Sequence, residues 1–403
     1  MKKSSKILYH LVFFTTLSIV VFSLFAIIFP SFLMTTFYPY TTNLQPFESS
    51  VWLVPIISSN SILLVIGFAY YRKKLPLQIY KGIEFILNFE ISKKTALLTG
   101  IIILVVYIGF SLPELAIDEA TQYDDWGVLE SALEVWPSTD SDDIYISEQN
   151  TRYVRMLLLD ASSDLFQNIK LLPFVASILL VVVTFFLTYQ ITQKRFAGII
   201  SMVILLQSHT FLHFDTIAVY ENFWVLFYVV SLYAINRKWQ YSSISYLLSI
   251  FSNAVTAVFF LPSLYYICRA SISARKKLYT LASYAALLIV ILSVFSFRES
   301  IFFDIINISS SEFFLAFNAL GYTLRYDLII VLSLLPLTLG LFFKFRKENS
   351  KKVDSILVLI LTALLAGPVI SMLTDFYFIL PYRFLPLIVF VAVGIGVLLS
   401  KKN

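Results

Sequence analysis

The sequence predicts an all-α polytopic membrane protein with about twelve transmembrane helices and one large extracytoplasmic loop that carries surface helices. Three observations lead to this fold class. Only 14% of the residues are charged and 59% are hydrophobic, whereas a soluble domain is about 25% charged. Apolar runs repeatedly approach the ~20 residues that a helix needs to span a bilayer. Basic residues cluster between alternate runs, as they do in the cytoplasmic loops of membrane proteins.

The N-terminal segment, residues 1–113, is predicted to contain three spans. The apolar run over residues 7–34 is too long for a signal peptide, so we assign it as the first span. The second span covers about residues 51–70. The mixed, basic stretch 75–94 is typical of an amphipathic helix lying along the inner face of the membrane. The third span, about residues 95–112, ends at a polar loop.

This loop, residues 114–170, holds 13 of the 25 acidic residues of the chain and only three basic ones. Within it, large and small apolar residues recur at spacings of three or four, as on one face of a helix. They are Ala120, Tyr123, Trp126, Leu129, Leu133 and Trp136. We expect this helix to lie on the membrane surface with its aromatic rings at headgroup depth. Residues 151–166 predict a second surface helix.

The remaining chain, residues 171–403, is predicted to form a multi-span bundle. Its nine apolar runs are 171–190, 197–208, 217–235, 242–252, 254–268, 278–297, 328–343, 355–374 and 380–400. The two runs that flank Asn253 are short, and a single long helix is the alternative there. A single helix would invert every later loop.

The distribution of positive charge tests this topology. With the N-terminus in the cytoplasm and the spans alternating, 24 of the 30 basic residues lie on inner segments. The other six are Arg152, Arg155, Lys170, Arg298, Arg325 and Arg383. This asymmetry favours a multi-pass protein of the cell membrane with both termini cytoplasmic and the acidic loop outside. It also favours two spans around Asn253, because merging them would move the later basic clusters outside.

The sequence holds one cysteine, Cys268, and three histidines. A single cysteine excludes an intrachain disulfide, and this set does not predict a zinc site of the usual kind. We predict no metal site, and neither the charge pattern nor the composition indicates a nucleic-acid partner.

Two adjacent carboxylates, Asp118 and Glu119, follow the third span almost directly. A carboxylate at this depth suits sugar transfer from a polyprenyl-phosphate sugar, whose lipid tail lies in the bilayer and whose phosphate lies at headgroup level. The leaving phosphate is a stable anion, so the reaction needs a base for the acceptor hydroxyl. It also needs cations or hydrogen-bond donors that hold the phosphate.

Three stretches resemble the GT-C superfamily of membrane glycosyltransferases, which includes the protein O-mannosyltransferases. Asp118-Glu119-Ala120, followed by Tyr123, is similar to the DEAxxY-type motif in the first large outer loop of that family. QSHTFLHFDTIAVYEN (residues 207–222) resembles its second outer segment, and YFILPYRFLPLIVF (residues 377–390) resembles its C-terminal aromatic–Arg–Pro stretch. The family usually reaches the motif after one span, whereas three are predicted here, and its Pro-rich loop segment is missing.

The resemblance implies that Asp118 is the catalytic base and that Glu119 is a second carboxylate that positions the acceptor or a metal. Other residues that it implies in the substrate site are Tyr123, His209, His213, Asp215, Glu221 and Arg383, the last as a phosphate contact. Simpler interpretations exist. The two carboxylates favour the start of a helix, Arg383 can reach the headgroups, and the aromatic and histidine side chains suit the membrane interface.

We therefore expect a hexosyltransferase that moves mannose or another hexose from a polyprenyl (dolichyl)-phosphate donor to a protein, glycan or lipid hydroxyl, with inversion. No cofactor is required by this chemistry, and a divalent cation is left open. The alternatives are a transporter, a flippase for the same lipids, or a non-catalytic membrane subunit. Transporters usually carry internal repeats and polar groups near the bilayer midplane, whereas the charges here gather at the outer surface.

Overall fold

The computed structural model describes residues 3–37, 45–121, 123, 125–137, 144–296, 308–348, 351–374 and 381–401. This part of the chain is helical. The α-helices are α1 Lys3–Ile28, α2 Pro30–Phe37, α3 Leu53–Tyr71, α4 Leu77–Asn88, α5 Lys93–Ser111, α6 Trp126–Val135, α7 Ile144–Asn150, α8 Tyr153–Phe166, α9 Leu171–Thr192 and α10 Arg195–Leu206. They continue with α11 His209–His213, α12 Phe223–Arg237, α13 Gln240–Ser252, α14 Phe260–Arg269, α15 Ala274–Ser296, α16 Ser310–Leu324, α17 Leu328–Glu348, α18 Lys351–Leu373 and α19 Leu385–Leu398. Short 3₁₀ helices cover Leu112–Ala116, Glu119–Thr121, Ala254–Phe259 and Pro381–Phe384.

Seven segments of the described chain are long and apolar enough to cross a membrane. They are Ile7–Ile28, Leu53–Tyr71, Lys93–Ala116, Leu171–Thr192, Leu328–Arg346, Val353–Leu373 and Pro381–Leu398. The predicted class, a helical membrane protein, is therefore supported. Three further apolar helices, Arg195–Leu206, Phe223–Arg237 and Ala254–Arg269, are shorter.

The depth of burial separates a central helix from peripheral ones. In the segment Pro381–Leu398, which contains α19, 83% of the residues are buried, compared with 11% in α3. Helix α19 packs against α9, α10, α17 and α18. Helices α3 and α5 instead expose large apolar side chains, such as Val65 and Phe110. In a bilayer these side chains face lipid tails, so their exposure carries no hydrophobic penalty.

Charged side chains meet at both ends of the bundle. At one end, which we call the basic end, Lys401 Nζ lies 2.7 Å from Glu84 Oε2. At the same end Arg195 pairs with Glu90 at 3.3 Å. The start of α9, at Lys170, lies at the opposite, acidic end, where the acidic loop is located. Helix α4 lies within the stretch 75–94, and the contact of its Glu84 with Lys401 holds it at the basic end.

Two predicted helix boundaries differ from the structure. The surface helix predicted from Ala120 begins at Trp126, because the preceding residues form a 3₁₀ turn in which Glu119 points inward. In the region predicted as a span from residue 217, the helix begins at Phe223. The backbone of the residues before Phe223 binds side chains of the acidic loop and of α8, so it cannot form helical hydrogen bonds.

The break predicted at Asn253 is present. Asn253 has extended backbone angles, φ −155° and ψ 119°, and its side chain accepts a hydrogen bond from the Val255 amide at 3.1 Å. Asn side chains cap the free amides at the start of a helix in this way, here the 3₁₀ helix Ala254–Phe259. Helix α13 therefore ends at Ser252, and a separate helical segment follows.

Helix α16 lies in a region that the sequence predicts as an outer loop. The Ser309 amide donates to the Met372 carbonyl at the end of α18 (3.0 Å). An added Cβ at Gly321 would lie 3.3 Å from the Ala26 backbone. Both ends of α16 therefore lie near the acidic end, and the helix covers α1 and α18 there. Its 15 residues are too few to indicate a span by length.

Replacing Gly396 by Ala is expected to destabilise the bundle by about 1–3 kcal/mol. A Cβ at Gly396 would lie 2.7 Å from the Ala197 carbonyl oxygen and 2.8 Å from Thr188 Cγ2. At Gly109, on the periphery, a Cβ meets no atom within 4 Å, so Gly109→Ala is the matched control. Thermal unfolding in detergent compares the two variants, and equal melting temperatures would contradict close packing of α19 against α9 and α10.

Candidate functional site

Segments that are far apart in the sequence meet at the acidic end of the bundle. The Thr216 hydroxyl donates to Glu114 Oε2 at 3.2 Å, and the Tyr220 hydroxyl donates to Asp125 Oδ2 at 2.7 Å. The Tyr220 ring stacks on the Tyr382 ring with centroids 4.8 Å apart. These contacts join the acidic loop, the segment between α11 and α12, and the 3₁₀ turn before α19 into one surface.

Glu119 is buried, with 2% of its surface exposed. Its two carboxylate oxygens accept hydrogen bonds from the amides of Ala218 (2.6 Å) and Val219 (3.1 Å). Burial raises the pKa of Glu119, and the two amides and Lys170 oppose that shift. Glu119 therefore anchors the acidic loop to the segment between α11 and α12.

Lys170 supports the same turn from the other side. Its Nζ donates to the carbonyls of Glu114 (2.7 Å) and Ile117 (3.1 Å) and lies 3.9 Å from Glu119 Oε1. Burial lowers the pKa of Lys170, and nearby carboxylates oppose this effect. The Glu114 carbonyl also accepts the Ile117 amide within the turn, at 3.2 Å, so Lys170 adds a charged donor to carbonyl oxygens of this turn. The turn before Asp118 is thus fixed by a buried lysine.

Asp118 lies on the surface of this turn. Its side chain is exposed, and its Oδ1 accepts a hydrogen bond from the Ala120 amide at 3.0 Å. This local bond orients the carboxylate. The two adjacent acids therefore have different environments: Glu119 points into the protein and Asp118 points outward.

The peptide backbone at Ala218 and Val219 is held on both sides. Its amides donate to Glu119. Arg155 Nη2 donates to the carbonyl oxygens of Ala218 (3.4 Å) and Val219 (2.8 Å). Arg155 is 1% exposed and its Nε lies 3.5 Å from Glu221 Oε1. Arg155 also donates to Gln149. The extended segment is therefore fixed by two buried ionic groups from two other parts of the chain.

Glu221, predicted to line the site, is also buried. It accepts a hydrogen bond from the Phe223 amide at 2.6 Å, at the start of α12. Burial raises the pKa of Glu221 to about 7, although Arg155 favours its charged form. Burial also lowers the pKa of Arg155. Through its ion pair with Arg155, Glu221 helps to hold the backbone of Ala218 and Val219 in place.

Asp215 is completely buried between α5 and α9. Its Oδ2 accepts from the Ser111 hydroxyl at 2.7 Å, and its carbonyl accepts from the Ser177 hydroxyl at 2.7 Å. Burial raises the pKa of Asp215 to about 6 from the ordinary value of 3.8. These bonds tie the segment between α11 and α12 to the acidic ends of α5 and α9, and they place Asp215 beneath the surface.

The Asp215→Asn variant is expected to reduce the dependence of stability on pH. Because the folded-state pKa is raised, the stabilising contribution of Asp215 is complete below about pH 3.8 and is lost as the pH rises through about 6. The wild type should therefore lose about 1 kcal/mol from this group between pH 5 and 8, and the variant should not. Thermal unfolding at both pH values measures the difference. Asp164→Asn, at an exposed carboxylate, is the control and should behave as the wild type.

His209 and His213 lie on α11 with exposed side chains. Their rings are nearly parallel, with centroids 5.8 Å apart. Beyond them, Tyr326 lies 5.7 Å from the His209 ring and Tyr123 lies 6.4 Å from the His213 ring. Although its side chain is exposed, partial desolvation by the neighbouring groups lowers the pKa of His213, and a positive charge on His209 acts in the same direction. We call this row of rings the aromatic strip, and it is composed of Tyr326, His209, His213, Tyr123, Tyr220 and Tyr382.

A buried carboxylate, Asp327, holds α11 in place. It accepts hydrogen bonds from the Ser208 hydroxyl (2.5 Å), from the Thr210 amide (3.4 Å) and from the Thr210 hydroxyl. Asp327 directly precedes α17, so it joins the short helix to a long one. Asp327 thereby fixes the position of α11 and of the two histidines on it.

Arg383 lies in the 3₁₀ turn before α19 and is 8% exposed. Its Nε donates to the Tyr382 hydroxyl at 3.3 Å, and its guanidinium carbon lies 5.6 Å from the centre of the Tyr382 ring. The positive charges of Arg152 and Arg155 also act on this hydroxyl. Three arginines from two regions thus create positive potential at the acidic end of α19, which favours an anionic group such as a phosphate.

Among the residues that the structure describes, no group of three or more His, Cys, Asp or Glu side chains is arranged to hold a metal ion. Arg298, one of the six basic residues predicted on the outer side, lies outside the described residues. The motifs in the sequence did not indicate that Lys170, Asp327, Tyr220 and Tyr382 belong to this site. No sequence signal singled out Lys170 and Asp327, because ionisable side chains next to the ends of apolar helices commonly lie at the headgroup level.

Comparisons of the chain with protein-family models, with curated proteins and with solved structures found no match.

Proposed function

We propose that this protein is an integral-membrane glycosyltransferase that moves a hexose from a polyprenyl-phosphate donor to a hydroxyl acceptor. The observation that supports this most directly is the exposed carboxylate of Asp118 on a turn held by Glu119 and Lys170. Such a turn lies directly after an apolar helix, where a lipid-linked donor and a water-soluble hydroxyl can meet. The arginine-rich turn at Arg383 belongs to the same end of the bundle.

Asp118 acts as the general base in this proposal. Its carboxylate takes the proton of the acceptor hydroxyl while that oxygen attacks the anomeric carbon of the sugar. The bond between the anomeric carbon and the phosphate oxygen breaks, and the polyprenyl phosphate leaves with the electron pair. A single displacement of this kind inverts the anomeric configuration. The leaving group is a stable phosphate anion, so no protonated acid is required.

Arg383 and Arg152 are proposed to hold the donor phosphate. Arginine presents a planar set of donors that matches phosphate oxygens, and both residues act electrostatically on Tyr382. Arg155 contributes positive potential from below while it supports the backbone of Ala218 and Val219. Stabilising the charge that develops on the leaving phosphate is the main electrostatic task of such a site.

The aromatic strip is proposed to contact the sugar. Its exposed histidines and the half-buried Tyr123 present ring faces and polar atoms close together, and this combination can pack on the carbon face of a sugar and bond its hydroxyls. A cavity of about 550 Å³ between α6 and α8 is proposed for the acceptor. Trp126, Glu130 and Glu134 line it, and all belong to the loop that carries Asp118.

Glu119, Asp215 and Glu221 are assigned positioning roles. Each is buried, and each bonds a backbone amide or a hydroxyl that fixes one of the outer segments. Buried carboxylates of this kind stabilise one arrangement of a loop because breaking their bonds would leave a charge or an acceptor unpaired.

We further propose twelve membrane crossings, with both termini in the cytoplasm and the acidic end outside the cell membrane. Seven crossings come from the long apolar helices. The other five are α10, α12, α13, α15 and the segment Ala254–Arg269. Helix α10 has 12 residues and is only ~18 Å long, so the membrane-spanning part of the protein would be thinnest at this helix.

Sugar transfer by purified protein in liposomes tests the proposal, with a panel of polyprenyl-phosphate sugars and with water-soluble and lipid acceptors. The proposed function predicts that one donor is consumed and that the product has the inverted anomeric configuration. Parallel reactions with EDTA test for a divalent cation. If no donor is consumed while labelled lipid crosses the bilayer, the flippase interpretation replaces this one. If neither occurs, a non-catalytic subunit is favoured.

A further inference from the structure

A second cavity, of about 520 Å³, opens at the basic end of the bundle. It lies where α12 ends, α13 begins and α15 passes. The residues that line it are Arg237, Lys238, Trp239, Gln240, Tyr241 and Lys276. All three charged side chains of this lining are cations, and none of them has a part in the proposed chemistry at the acidic end.

The cations are interleaved with aromatic rings. Trp239 stacks on Tyr279 with centroids 5.8 Å apart. Lys238 Nζ lies 5.7 Å from the centre of the Tyr241 ring. Tryptophan, tyrosine and lysine together are typical of the level at which lipid headgroups meet water. Like charges that converge without a carboxylate among them favour an anion between them.

Exposed apolar side chains continue from the cavity along the two helices. On α13 they are Tyr241 and Ile244, which are 56% and 53% exposed. On α15 they are Leu278 and Tyr279, 66% and 56% exposed. Helices α13 and α15 pack together, so these side chains form a joint apolar surface next to the cations.

We propose that this cavity binds the phosphate of an anionic phospholipid. The headgroup lies among Arg237, Lys238 and Lys276, and the acyl chains lie along the exposed apolar surface of α13 and α15. A soluble phosphate compound shares the headgroup chemistry, but it would leave the adjacent apolar surface without a partner. The lipid satisfies both the charge and the apolar area, and the site is independent of the proposed catalytic function.

The test uses the full-length protein in detergent and phosphatidylglycerol brominated on its acyl chains, which quenches nearby tryptophan. Binding is followed by tryptophan fluorescence, and Trp239→Phe should remove most of the lipid-dependent quenching. The triple variant R237Q/K238Q/K276Q should bind this lipid about tenfold or more weakly, because each basic group near an anionic lipid contributes appreciably. Brominated phosphatidylcholine should quench much less than phosphatidylglycerol at equal concentration.

The matched control is the triple variant R72Q/K73Q/K74Q. It removes the same number of positive charges after α3, outside the cavity lining, and it should bind as the wild type does. Equal affinity of the wild type and the cavity variant, with both shown to be folded by thermal unfolding, would overturn the proposal. Displacement of the lipid by millimolar inorganic phosphate would overturn its lipid part, because a free anion should not replace the acyl-chain contacts.

Discussion

Replacing Asp118 by Asn is expected to lower the rate of sugar transfer about 10²- to 10⁴-fold, the contribution usual for a general base. Asparagine keeps the shape of the side chain and can still accept a hydrogen bond from the Ala120 amide, but it cannot take a proton from the acceptor. Since Asp118 is exposed, the folded state should be unaffected. Single-turnover transfer from the donor that the wild type uses gives the rate.

The control for this experiment is Asp164→Asn, which removes the same charge from an exposed site on α8 of the same loop. It should retain wild-type rates, and both variants should melt as the wild type does. Wild-type activity of a folded Asp118→Asn protein would exclude Asp118 as the base. The next residue to test is then Asp125, whose carboxylate binds the Tyr220 hydroxyl on the same surface.

Replacing Arg155 by Met is expected to destabilise the protein by about 3–5 kcal/mol, the usual cost of removing one partner from a buried ion pair. The substitution leaves Glu221 buried without its cation and frees the carbonyls of Ala218 and Val219. The loss is expected to include activity, because the segment that anchors Glu119 depends on these bonds. Thermal and denaturant unfolding in detergent measure the stability.

A second substitution separates the ion pair from general damage. Adding Glu221→Gln to Arg155→Met removes the unpaired charge, so the double variant should recover part of the stability lost by the single one. Arg152→Met is the control for the loss of a positive charge. Arg152 is only partly buried, so its replacement should lower the stability much less. A double variant that is less stable than Arg155→Met would show that the buried charge of Glu221 is not the source of the instability.

The sequence predicted the long helices well because the length and apolarity that a bilayer requires of a helix are properties of one continuous stretch of residues. A run of about 20 apolar residues satisfies its own backbone hydrogen bonds as a helix and faces lipid wherever the neighbours lie. Residues 171–190 were predicted as a span, and α9 covers Leu171–Thr192. Helix α16 was not predicted because its 15 residues are stabilised by packing on α1 and α18 rather than by length.

The candidate site was predictable only in its location. The order of polar segments between apolar helices placed Asp118, Glu119 and Arg383 at helix ends, and the structure brings their segments to one end of the bundle. The sequence did not reveal that Asp118 is exposed and its neighbour Glu119 is buried. Glu119 is buried because its partners, the Ala218 and Val219 amides, lie 99 and 100 residues further along the chain.

The sequence by itself therefore determined that the chain is a helical membrane protein, and it located the polar segments at which chemistry can occur. Those properties follow from the length and polarity of single stretches. Only the tertiary structure decided that Asp118 is exposed while Glu119 and Glu221 are buried. The burial of a carboxylate depends on donors that compensate for its lost hydration, and here those donors come from distant parts of the chain.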